Sequence, residues 1–220
     1  VYKWIGNLKA VSGTDAAVIS VSGGGEVSPN TACRLSSIKR LADKGYPIVY
    51  DTMLVMPSNF AVPTKKPLAS MLLQVLPKKV DEAVKDIFSD TPAKSNPLLF
   101  DRILARMAEL EKPAAKLWGR GIKALAVCNG CGWCAQNCPS KNITMVNGKP
   151  KFFGKCHLCL KCIYGCKQRA LTPTIGKFFI IKEGYDLKHL SEAPPLDVPA
   201  SEIEKAAGYL WSGVKKYLLE

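Results

Sequence analysis

CNGCGWCAQNCP (residues 128–139) and CHLCLKCIYGC (residues 156–166) decide how this chain is read. Eight of its nine cysteines lie in these two runs, which repeat one spacing, C-x2-C-x2-C-x3-C, 28 residues apart. Three cysteines at two-residue gaps let one short loop wrap a cubane cluster, each thiolate meeting a different iron. The fourth cysteine begins a helical turn that points away, toward the cluster of the other run. The spacing therefore predicts two [4Fe–4S] clusters. Cluster I takes Cys128, Cys131, Cys134 and Cys166, and cluster II takes Cys156, Cys159, Cys162 and Cys138. Tetrahedral zinc asks for two CxxC pairs or for histidines. Each run here carries a third evenly spaced cysteine and a fourth at x3, and the chain has only two histidines, His157 and His189. Disulfides are disfavoured, because dense CxxC runs without a secretory signal point to metal or redox use.

Over about fifty residues this stretch resembles the bacterial-type 2[4Fe–4S] ferredoxins. One position departs from their pattern. Pro139 follows the fourth cysteine of the first run, whereas Lys167 stands at the equivalent place in the second.

Charge is concentrated on the same stretch. The formal net charge is +13, and no Asp or Glu occurs between Glu111 and Glu183, an interval with thirteen Lys and Arg. The rest of the chain is balanced, eighteen basic against eighteen acidic residues. A [4Fe–4S]2+ core with four thiolates carries about −2, so two clusters leave the patch basic. The patch is read as a docking face for an acidic redox partner and as compensation for cluster charge. Nucleic acid is the less favoured partner, since neither a binding motif nor aromatic interleaving is present. The longest apolar runs are too short to span a membrane, no signal peptide opens the chain, and clusters need a reducing compartment, so the expected location is cytoplasmic.

Ahead of the cysteines the pattern is α/β. Val1, Trp4, Ile5 and Leu8 mark one helical face ending near Gly13. Residues 15–21, DAAVISV, read as a strand buried on both faces of a parallel sheet. Ser22, Gly23, Gly24 and Gly25 follow, and Ser28-Pro29 then opens a helix through Leu35, Ile38 and Leu41 that stops at Gly45. Residues 46–56, YPIVYDTMLVM, are a second strand. This α-β-loop-α-β order belongs to a doubly wound parallel sheet, whose ligands bind beyond the carboxyl ends of the strands. On its own, a glycine loop is more simply a flexible turn.

VISVSGGG, the following helix, KGYPIVYDTMLVMPSNF and the two-cluster stretch together resemble the flavodoxin–ferredoxin fusion proteins of anaerobes. The resemblance extends to the GYLWSGVKKYLLE tail. It implies a flavodoxin-like FMN domain ahead of the ferredoxin module, with Ser22, Gly23, Gly24 and Gly25 beside the flavin ring. The first three strands and the Thr/Ser/Gly-rich phosphate loop of that domain are absent from this sequence. The expectation therefore divides: either the native protein is longer, or this form binds no FMN.

Further along, residues 68–76 and 80–88 read as helices broken at Pro77, and residues 98–110 as an amphipathic helix between the modules. Ile143 to Val146 and Lys151 to Phe153 flank Asn147-Gly148, a hairpin signal. Leu171 to Pro173 and Phe178 to Ile181 read as extended. Pro194 to Pro199 is a linker, and Ser201 caps a last helix whose stripe of Ile203, Ala206, Ala207, Leu210, Val214, Tyr217 and Leu218 is read as core. Cys33 is read as a small buried residue rather than a ligand, Trp133 and Tyr164 as shields for the clusters, and His157 as a surface residue. The domain reading is 1–92, partial flavodoxin-like; 93–123, helical connector; 124–182, two-cluster ferredoxin; 183–220, linker and C-terminal helix. The function expected is single-electron transfer through two clusters. A flavin-dependent reductase fed by the clusters is the second reading, and a nucleic-acid-associated protein with structural clusters the third. No acid–base or nucleophile constellation is present. Donor, acceptor and oligomeric state are not legible in the sequence.

Overall fold

The computed structural model describes residues 2–10, 13–89, 95–107, 111–192, 199, 201, 203 and 211–220. The sequence readings at Val1, residues 90–94, Leu110, residues 194–198, and Ala206, Ala207 and Leu210 lie outside them. Among the described residues the fold is mixed α/β with three two-stranded sheets, one parallel and two antiparallel. Contacts group the described residues into two compact units. One draws on 1–58, 64–106 and 188–220, the other on 59–63 and 107–187.

In the first unit, α1 (Tyr2–Asn7) packs on α2 (Leu35–Ala42), and β1 (Ala16–Ser22) runs parallel to β2 (Ile48–Val55), with Val18 opposite Asp51 and Val21 opposite Leu54. Lys44 at the end of α2 donates from Nζ to the carbonyls of Gly6 and Leu8, both at 3.0 Å, supplying partners at the C-terminal end of α1. Gly45 adopts φ +87°, and Tyr46 N–H returns to the carbonyl of Leu41, closing α2 in a left-handed cap. β1 departs from the both-faces-buried reading. Its burial alternates, and Ile19 and Val21 remain 44% and 66% exposed, as on a strand covered along one face. Nor does a helix begin at Ser28-Pro29. The Ser28 hydroxyl is committed to Asp101 instead, residues Asn30–Ala32 form a 3-10 turn, and α2 starts at Leu35.

The break expected at Pro77 is also absent. α3 runs unbroken from Lys66 to Phe88 with Pro77 inside it. Pro77 removes one i→i−4 bond, but Leu68 and Leu72 anchor the first half and Ala83 the second. Val80, Val84 and Phe88 of its second half are exposed. The core joins Val55 of β2, Leu68 and Leu72 of α3, Ile203, Trp211, and Val214 of the last helix, α9 (Ser212–Leu219). Tyr217 and Leu218 pack against it, in keeping with the apolar stripe of the C-terminal segment. Leu72 is fully buried, so Leu72→Ala is expected to lower unfolding stability by about 2–5 kcal/mol in a denaturant titration.

α4 (Leu99–Met107) is amphipathic in the opposite sense to its sequence reading. Leu99, Phe100, Ile103 and Met107 are exposed, while Asp101 is fully buried. The Ser28 hydroxyl donates to Asp101 Oδ1 at 2.6 Å and the Thr31 hydroxyl to Oδ2. These bonds, Ser28 first, hold the Asp101 carboxyl below its ordinary value of 3.8. A lowered folded-state pKa stabilises the fold above the unfolded value, and that contribution disappears as pH falls through the folded value. The stability advantage of the native chain over Asp101→Asn is therefore expected to shrink below about pH 4, in paired denaturant titrations.

In the second unit, α5 (Glu111–Arg120) leads into β3 (Ile122–Ala124). Next come α6 (Trp133–Gln136), the hairpin β4 (Ile143–Val146) and β5 (Lys149–Phe152), then α7 (Lys161–Tyr164) and β6 (Leu171–Pro173). α8 (Leu187–Glu192) comes next in the chain, and its residues from Lys188 onward belong to the first unit. Asn147 and Gly148 turn the hairpin at φ +48° and +72°, as their residue types require. Phe178 and Phe179, read as extended, lie instead in a 3-10 turn, Lys177–Phe179. Ile122, Ile143, Phe152, Leu160, Ile163 and Leu171 form the core, and Cys134, Cys138, Cys162 and Cys166 pack against it.

Candidate metal centre

The 28-residue offset of the cysteines extends to the backbone around them. Gly130, Gly132, Lys141 and Gly148 have positive φ, and so do their counterparts Leu158, Leu160, Arg169 and Gly176. α6 and α7 stand at the same offset, as do β3 and β5, and β4 and β6. Strand pairing then crosses between the repeats. β4, which follows Cys138, pairs with β5, which leads into Cys156; β6, which follows Cys166, pairs with β3, which leads into Cys128. Each fourth cysteine is thus delivered to the first three of the other run.

Two cavities result. Cys128, Cys131, Cys134 and Cys166 line one of about 280 Å3, together with Trp133, Met145 and Gly165. Cys138, Cys156, Cys159 and Cys162 line the other, about 20 Å3, with Trp118, Ile143 and Phe152. Among the described residues no three His, Cys, Asp or Glu converge to hold a single metal ion; the thiols stand around the two spaces instead.

Backbone amides point at the sulfurs. Asn142 N–H donates to Cys138 Sγ at 3.2 Å, Ala170 N–H to Cys166 Sγ at 3.3 Å, and Leu158 N–H to Cys156 Sγ at 3.4 Å. The first two are the same bond in the two repeats. Only the first repeat adds a hydroxyl, Ser140 Oγ lying 3.5 Å from Cys138 Sγ. Burial pushes the Cys138 thiol up, but the Ser140 hydroxyl and the amides outweigh it, and its pKa falls below the ordinary thiol value. Burial pushes Cys162 up to about 12, and the neighbouring Cys159, Cys156 and Cys138 add to the rise. Burial is also the first cause raising Cys134 and Cys156. Crowded thiols resist ionising together, and a cationic core reverses that balance and displaces their protons. The donor sets and the amides aimed at sulfur suit a [4Fe–4S] cluster at both positions; the first cavity has room for it, while the second, at about 20 Å3, holds little more than a water and would have to open around the core.

Two glycines set the cysteine loops. A Cβ on Gly119 would lie 2.0 Å from Cys156 Cβ, and one on Gly165 would lie 1.9 Å from the Trp133 ring. Trp133 lines the first cavity, where a shield would stand. Tyr164 instead ties segments together. Its hydroxyl donates to the carbonyl of Asn59 at 2.8 Å and accepts from Ile181 N–H at 3.0 Å. His157 is exposed at the mouth of the second cavity. Cys33, read as buried, is exposed, with Sγ 3.8 Å from Ser20 Oγ.

Ser22 to Gly25 are occupied by the chain itself. Ser22 Oγ accepts from Gly24 N–H at 3.1 Å, a Cβ on Gly23 would meet Ser58 Cα at 2.9 Å, and one on Gly25 would meet the Gly213 carbonyl carbon at 2.5 Å. Backbone approach accounts for these two glycines. The residues present do not fit FMN at this loop, because Ser58 and Gly213 fill the space beside Gly23 and Gly25.

Asn142 carries no mark in the sequence taken alone. It is buried, and its Oδ1 accepts from Lys155 N–H at 2.5 Å while its carbonyl accepts from Phe153 N–H at 3.0 Å. One residue therefore ties Cys138 to the approach to Cys156. Aligning the two repeats exposes the signal, since Asn142 faces Ala170. No protein-family model, curated protein or solved structure matches this chain.

Proposed function

We propose that this chain is an iron–sulfur electron carrier of the two-cluster ferredoxin type, working in a reducing, cytoplasmic setting with an acidic protein as redox partner. The observation that carries the reading is the division of eight cysteines into two separate fours, each drawn from both runs and each around its own cavity. When bound, each [4Fe–4S] cluster supplies a site that accepts and releases one electron. The chain's residues hold and tune those sites. The cysteines fix position, the amides of Asn142, Leu158 and Ala170 place positive dipoles at sulfur, and Trp133 limits water at the first cavity. No described helix is long and apolar enough to cross a membrane.

A reductive titration of the anaerobically purified chain tests the reading. It is expected to take up about two electrons per chain, one at each cluster. Uptake of none contradicts it. Ser140 sharpens the expectation. Against a ligated thiolate its hydroxyl can only donate, and donation to sulfur raises a potential. Ser140→Ala is expected to lower one of two potentials by about 40 mV, the equivalent of a hydrogen bond worth about 1 kcal/mol, and to leave the other in place.

A further inference from the structure

A further cavity of the second unit is an open groove of about 600 Å3 running along β3 and β5. Arg120, Lys123, Lys149 and Lys151 line it, and no Asp or Glu does. Its floor includes Leu125 and Val146, 44% and 45% exposed. Two of the cations are held in place. A Cβ on Gly154 would meet the Arg120 guanidinium at 2.6 Å, so that group lies flat against the Gly154 backbone. Lys149 Nζ donates to the carbonyl of Cys128 at 2.7 Å. Pro150 lines both this groove and the cavity of Cys128, Cys131, Cys134 and Cys166. Ile122 and Phe152 line both the groove and the cavity of Cys138, Cys156, Cys159 and Cys162, so the groove borders both cysteine sites.

We propose that this groove is the docking site for an acidic electron-transfer protein. The inference rests on the electron-carrier reading and gives it a place on the surface. Carboxylates of the partner pair with the four cations, and an apolar side chain covers Leu125 and Val146. An apolar centre ringed by charge is the make-up of a protein–protein contact, in which the rim steers encounter and the centre excludes water. A phosphate backbone would use the cations but would set charge against the two apolar residues, so protein is the better occupant. Docking here brings the partner against residues that also line the two cysteine cavities, the place from which an electron would pass.

The test uses the full chain, purified anaerobically, and two double variants with the same change in charge. Lys123→Glu with Lys151→Glu alters the groove; Lys116→Glu with Lys182→Glu alters exposed lysines outside it. The probes are a glutamate-rich peptide with a central leucine and a duplex DNA, titrated at about 0.1 M salt. Iron is measured on every sample. The groove variant is expected to bind the peptide at least about tenfold more weakly than the native chain, and the control variant less than about twofold more weakly. Equal losses in the two variants overturn the docking site, as does tighter binding of DNA that the groove variant alone loses. If the native chain holds no iron, the carrier reading fails; if iron is full and the groove variant behaves like the control, only the docking site fails.

Discussion

Cys138→Ala is expected to remove the cluster of the second cysteine run and to leave that of the first. Cys138 belongs to the first run by sequence, but β4 carries it to β5 and so to Cys156, Cys159 and Cys162. Iron should fall from about eight to about four per chain. Double variants identify which cluster is lost, because changes within one site do not add whereas changes in separate sites do. Cys138→Ala with Cys159→Ala should retain about four irons, both cysteines serving one site. Cys138→Ala with Cys131→Ala should retain almost none. The opposite result, about four irons with Cys131→Ala and none with Cys159→Ala, would mean that each run closes on itself and that the strand exchange does not set the ligands.

Gly119→Ala should cost the chain a cluster without touching a ligand. Two effects oppose one another at this position. Gly119 lies within α5, where alanine is favoured over glycine by about 1 kcal/mol. Yet the added Cβ would sit 2.0 Å from Cys156 Cβ and 2.7 Å from its Sγ, closer than atoms can pack. Overpacking of this kind costs about 1–3 kcal/mol and moves neighbours, and the neighbour here is a proposed ligand. Overlap should win. The variant is expected to keep about four irons and the first cluster's signal, with a native-like far-ultraviolet spectrum. Full iron content would show that Cys156 can shift without loss of its site.

How much of this is legible in the sequence depends on the range of each interaction. The cysteine runs and the Asn147-Gly148 hairpin are local patterns, and the elements around them can be read from neighbouring residues. The crossed pairing of β3 with β6 and β4 with β5 is implicit in the 28-residue offset, but it becomes visible only once strands are placed. Contacts between distant segments leave no local trace. Gly119 looks like a weak helical residue until Cys156 is set against it. Gly23 and Gly25 look like a ligand loop until Ser58 and Gly213 fill the space. Asp101 reads as the polar face of α4, and only the hydroxyls of Ser28 and Thr31 explain why that face turns inward. Pro77 reads as a break because local sterics disfavour it, whereas packing on both sides carries α3 through.

The most direct test of the central claim is the iron and acid-labile sulfide content of the anaerobically purified full chain. Two clusters predict about eight irons and about eight sulfides per chain, with a broad visible absorption that bleaches on reduction. Zinc in place of iron, or iron without sulfide, would contradict the account.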